Sequence, residues 1–105
     1  MTYYSQSSAQ QAGLINTSAT APTYIGVDYQ TVTNINGAGR PSVRISTQKS
    51  WTHGLFIGDF SHAPGGICGT WPAWWTIGPN WPYNGEIDIL EGVNQLTQNA
   101  MSLHS

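Results

Sequence analysis

Three of the chain's five acids, Glu86, Asp88 and Glu91, fall within six positions, and they include its only two glutamates. In an extended strand successive side chains alternate between faces, so Glu86 and Asp88 share one face while Ile87 and Ile89 share the other. Glu91 would then point away. One extra residue in a β-bulge near Leu90 restores it to the face of Glu86 and Asp88, and bulges are over-represented beside active sites. The spacing Glu-x-Asp-x-x-Glu in GEIDILEG therefore predicts a bulged strand carrying a row of three carboxyls.

On such a strand the two glutamate backbones lie about four steps apart, about 13 Å at roughly 3.3 Å per residue. If both side chains lean inward, the carboxyls approach to roughly 5 to 6 Å. That is near the 5 to 5.5 Å of retaining glycosidases and below the roughly 6.5 to 9.5 Å of inverting ones. Carboxyls this close share protons, which separates an acid from a nucleophile. Two other readings stay open: a strand whose acids face water, and a divalent-cation site, since close carboxylates suit Ca²⁺ or Mg²⁺. No other oxygen-rich loop lies nearby in sequence, so neither a metal nor a cofactor is expected.

Trp71, Trp74, Trp75, Trp81 and Tyr83 all lie within 15 residues upstream of Glu86, among glycines and prolines. Flat rings beside polar groups suit the faces of pyranose sugars. Tryptophans also fill cores, and Trp71 and Trp75 are assigned there.

The elements that would position these groups are mostly strands. SQSSAQQAG offers serines for an N-cap and Gly13 for a left-handed stop, giving one or two turns of helix. From Tyr24 to Thr31 the pattern has period two and turns near Asn36-Gly37; Ser42 to Ser46 and Gly54 to Phe60 read as two further strands. Pro64-Gly65-Gly66, Gly78-Pro79 and Trp81-Pro82 punctuate a loop-rich stretch before the Glu86 strand, and Ala100 to Ser105 begins another alternation. No linker or repeat divides the chain, so residues 1–105 are expected to form one domain or part of one.

Composition narrows the partners. Charged residues make up 8% of the chain, the net charge is −2, and the three basic residues are Arg40, Arg44 and Lys49. That is too few for a phosphate-binding footprint, so nucleic acid is not expected. No apolar run reaches the roughly 20 residues a membrane span needs, and no targeting segment is visible. A single cysteine, Cys68, is either a buried thiol or half of a disulfide whose partner lies outside these residues. Asn16-Thr17-Ser18 is an N-glycosylation sequon.

The blocks YYSQSSAQQAGL, YIGVDYQTV, GRPSVRIST, GLFIGDFSHAP, GTWPAWWTIGPNWPYNGEIDILEGVN and NAMSLHS resemble, in order, those of the glycoside hydrolase family 16 enzymes, specifically fungal laminarinase-like endo-β-1,3(4)-glucanases. The resemblance implies an all-β fold, part of a β-jelly-roll sandwich of the concanavalin A type, truncated at both ends, with the acid strand on the concave face. It implies Glu86 as nucleophile, Glu91 as general acid/base and Asp88 as the residue that tunes the nucleophile. It further implies sugar contacts from Trp74, Trp81, Arg44 and His104, for which a solvated strand residue and a surface histidine are the plain alternatives in the last two cases.

The partner so implied is a β-1,3- or mixed β-1,3/1,4-glucan, met by an extracellular enzyme that is monomeric when complete. GGICGTWP departs from the family's usual spacing by a residue or so, and the resemblance favours a bridge from Cys68 to a later cysteine. Alternatives to hydrolysis are an inactive carbohydrate-binding or structural remnant and a cell-wall transglycosylase.

Overall fold

Ser5 starts the one helix, α1 (Gln6–Gln11): its hydroxyl accepts from the Ser8 amide at 3.3 Å, satisfying a donor that has no partner within the helix. Replacing such a cap by alanine costs about 1 kcal/mol. Gly13 stops the helix with φ +69°, a left-handed conformation that a side chain resists. The buried hydrophobic residues are Ala9 and Leu14, joined by a 2.8 Å bond from the Leu14 amide to the Ala9 carbonyl.

The computed structural model describes residues 1–105 and divides into two units, Met1–Ile57 and Gly58–Ser105. In the first, β1 (Thr2–Tyr3) pairs in parallel with β4 (Pro41–Ser42), and β2 (Ile15–Asn16) pairs antiparallel with β3 (Tyr24–Ile25). In the second, β5 (Ala73–Ile77), β6 (Glu86–Glu91) and β7 (Ser102–His104) form an antiparallel sheet in the order β5-β6-β7. No helix is long and apolar enough to cross a membrane.

Several expected strands are shorter than their pattern. The run from Tyr24 is a regular strand only through Ile25, with single backbone bonds beyond it from the Gly26 amide to the Leu14 carbonyl and from the Asp28 amide to the Pro41 carbonyl. Farther on, the Asp28 carboxylate accepts from the Gln30 and Thr31 amides at 2.9 and 3.1 Å, and this local turn replaces further pairing. The expected reversal is present, with the Gly37 amide bonded to the Asn34 carbonyl at 3.0 Å. The strand expected over Ser42 to Ser46 stops at Ser42, because its partner β1 gives way to Ser5 and the helix. Gly54 to Phe60 is not a strand: alternation assigns faces but supplies no neighbour to bond with, and Leu55 and Ile57 lie exposed.

Conversely, Ala73–Ile77 is a strand inside the stretch read as loop. Its aromatic and β-branched residues, bounded by Pro72 and Gly78, carry the ordinary strand signal. The alternation begun at Ala100 yields β7, and Cys68 is an exposed free thiol, which removes the buried-thiol alternative.

Candidate active site

Gly85 delivers the chain to β6 with φ +76°, and a Cβ there would lie 3.0 Å from the His104 carbonyl oxygen. Both conditions favour glycine at the entrance to the acid strand. The register then places the acids. Glu86 opposes Ile77, Asp88 opposes Trp75 and Glu91 opposes Ala73, with the register shift lying between Trp74 and Trp75. Trp74 opposes Leu90, so Ile89 has no opposite number on β5.

This is the extra residue that the spacing predicted, one position from Leu90. Because Ala73, Trp75 and Ile77 alternate along a regular strand, their partners Glu91, Asp88 and Glu86 share a face. A strand without the bulge would turn Glu91 to the other side.

Asp88 sits at the middle of the row and is 3% exposed, the most buried acid of the three. Its Oδ2 lies 3.0 Å from His104 Nε2, and the His104 side chain remains 56% exposed. β7 supplies that contact through the pairings Glu86 with His104 and Asp88 with Ser102. A buried carboxylate without a hydrogen-bond partner is costly, so His104 supports Asp88 from the neighbouring strand. One ligand atom each from Glu86, Asp88 and His104 lies within 4.8 Å of the others. A mixed carboxylate and imidazole set suits a transition metal better than the Ca²⁺ or Mg²⁺ weighed from sequence.

Glu91, at the far end of the row, is held by Trp71, which the sequence reading assigned to the core, and by Asn99, which it did not single out. The Trp71 indole N–H donates to Glu91 Oε1 at 2.8 Å; Trp71 is 57% exposed and does not belong to the core. The Glu91 amide donates to Asn99 Oδ1, and Asn99 Nδ2 donates to the Ile89 carbonyl, both at 2.9 Å. The signal for Trp71 was its place beside the acid motif. Asn99 had none, because its role depends on where the loop after β6 returns.

Of the other candidates, Trp81 is 60% exposed on the loop leading to Glu86. Trp74 is half-buried, falls out of phase with the partners of the acids, and meets Phe60 edge-on with ring centroids 5.5 Å apart. Trp75, assigned to the core from sequence, is only half-buried and stands directly opposite Asp88. Arg44 lies in the first unit, beyond the end of β4.

Residues 1–105 match the family described as the XgeA-like, catalytic GH16 domain. The chain is 50% identical over 105 residues to endo-1,3(4)-beta-glucanase xgeA of Emericella nidulans, covering 100% of this chain and 17% of that protein. It is 48% identical over 103 residues to an endo-1,3(4)-beta-glucanase of Arthroderma benhamiae, covering 98% of this chain and 22% of that one.

Among solved structures, an elongating GH family 16 beta-1,3-glucosyltransferase superposes with a TM-score of 0.91 at 46% identity, covering 98% of this chain and 35% of its own. Laminarinase 16A from Phanerochaete chrysosporium, solved with beta-glucans in donor and acceptor sites, gives 0.87 at 41% identity, covering 98% and 34%. The chain thus spans about a third of the solved chains and about a fifth or less of these curated relatives. The likeness to these laminarinase-type structures makes the fold part of an all-β jelly roll.

Proposed function

We propose, from the premise that the chain belongs to the XgeA-like catalytic domains of glycoside hydrolase family 16, that it carries the catalytic strand of a retaining endo-β-glucanase acting on β-1,3- or mixed β-1,3/1,4-glucan. Residues 1–105 are then part of one such domain, from a secreted or cell-wall enzyme. The observation that carries this reading is the register: Glu86 and Glu91 sit opposite Ile77 and Ala73, four steps apart on one face, with buried Asp88 between them.

Four steps at roughly 3.3 Å leave about 13 Å between backbones, which glutamates leaning inward would reduce towards the roughly 5 to 5.5 Å that a covalent mechanism needs. In that mechanism a Glu86 oxygen attacks the anomeric carbon while Glu91 gives its proton to the departing oxygen. Glu91 then takes a proton from water as the water oxygen attacks the same carbon and releases Glu86. Asp88, held by His104, is placed beside Glu86 to tune its charge.

Trp81 is the most exposed of the tryptophans and can offer its ring to a glucose face, and His104 borders the row. Trp74, out of phase with the partners of the acids, gains no support from its placement as a direct contact, and Arg44 is proposed on the family resemblance alone. The test is reducing-end release from laminarin by this chain and by Glu86→Gln. Loss in the variant is expected, and equal activity in both would sink the assignment.

A second reading keeps the glycosyl-enzyme but hands the sugar to another glucan hydroxyl. The 46%-identical neighbour described as an elongating glucosyltransferase favours keeping it open. Chains longer than the starting oligosaccharide would identify transfer, whereas glucan binding without turnover would identify a remnant.

A further inference from the structure

The bulge that turns Glu91 onto the acid face also breaks the hydrogen-bond ladder on the other side of β6. Pairing with β7 runs from Glu86 with His104 to Asp88 with Ser102 and goes no farther. Beyond it, the Ile89 carbonyl and the Glu91 amide bracket Leu90 and face away from β5, to which Leu90 is paired. Both would lack backbone partners. Asn99 supplies them from one side chain, accepting from the Glu91 amide and donating to the Ile89 carbonyl, each at 2.9 Å.

A carboxamide carries the same acceptor and donor pair as a peptide group, so Asn99 stands in for a missing strand residue. The next amide, Ala100, returns to the Glu91 carbonyl at 2.9 Å and closes the turn. Aspartate at 99 could accept but not donate, and leucine could do neither.

We propose that Asn99 is a positioning residue for the reaction: by clamping Ile89 and Glu91 it fixes the bulge and with it the direction in which Glu91 presents its carboxyl. This rests on the reading of Glu91 as the general acid. Trp71 holds the carboxyl itself, whereas Asn99 holds the backbone beneath it.

The test compares the parent chain with Asn99→Ala and Asn99→Asp in two measurements. Amide hydrogen exchange on the ¹⁵N-labelled chain should show Glu91 exchanging at least about tenfold faster in Asn99→Ala, since a local opening is made easier. The kcat/KM for laminarin, whose leaving alkoxide needs a proton, should fall by about 100-fold, the lower end of what general acid catalysis contributes. For a 2,4-dinitrophenyl laminarioligosaccharide, whose leaving group needs none, kcat/KM should change by less than about threefold on the same grounds. Asn99→Asp, keeping the acceptor, should lie between.

Unchanged Glu91 exchange, or an equal loss on both substrates, would overturn the proposal. Glu91→Gln, run in parallel, separates the underlying reading: if it cleaves laminarin as the parent does, the acid assignment itself has failed.

Discussion

Trp71 and Glu91 are 20 residues apart in sequence and joined by a 2.8 Å bond from the indole N–H to the carboxylate. β5 follows Trp71 by two residues and brings Ala73 opposite Glu91, so one strand pairing fixes both ends of the contact. A hydrogen bond to a charged group contributes about 1.5 to 3 kcal/mol, and an oriented one also restricts where the carboxyl points. Trp71→Phe keeps the ring and removes the donor. Its kcat on laminarin should fall by about tenfold, the equivalent of about 1.4 kcal/mol. An unchanged kcat would mean the indole does not hold Glu91 in the reacting complex.

His104 makes a second support testable. Removing it leaves buried Asp88 without its partner at 3.0 Å. An unsatisfied buried polar group costs about 1 to 3 kcal/mol, so His104→Ala should lower the thermal midpoint as well as turnover. His104→Gln keeps a donor and should recover part of both. Scanning calorimetry and laminarin kinetics on the two variants check this, and identical behaviour of His104→Ala and His104→Gln would count against the bond.

Trp81 bears on substrate binding. Its exposed ring lies on the loop that feeds Glu86, so Trp81→Ala should raise KM for laminarin by about tenfold, the loss of about 1.4 kcal/mol of stacking, while kcat changes little. A fall in kcat at constant KM would place the ring in the chemical step instead.

Asp28 gives a pH-dependent prediction away from the acids. The Thr31 hydroxyl, then the Gln30 and Thr31 amides, with the Arg40 charge adding to them, hold its carboxyl below the ordinary 3.8. A folded-state value below the unfolded one gives stability that is complete above the unfolded value and is lost as pH falls through the folded value. Acid unfolding followed by circular dichroism should therefore show an extra loss below about pH 4 in the parent. Asp28→Asn, whose amide does not titrate there, should lack that component. Superimposable acid limbs would contradict it.

The acid row was legible because spacing on a strand is a geometric statement. Glu86 and Glu91, an odd five steps apart, cannot share a face of a regular strand without an added residue, and Ile89 is that residue. The helix was legible from Ser5 and Gly13, whose roles are local. What the pattern could not give was pairing. Ile45 and Leu55 alternate like strand residues, yet a strand exists only where a neighbour bonds to it, and these two remain exposed. Asn99 was hidden, and Trp71 was assigned to the core, for a related reason: each acts across a pairing or loop return that the sequence does not display.

The central claim is that Glu86 forms a bond to sugar. Incubation with a 2,4-dinitrophenyl 2-deoxy-2-fluoro-laminarioligosaccharide, followed by proteolysis and peptide mass spectrometry, tests it most directly, because the fluorine slows release of the glycosyl-enzyme. The account predicts one added fluoroglycosyl group, located on Glu86, while Glu91 and Asp88 stay unmodified. A label on either of those residues, or no label at all, would contradict it.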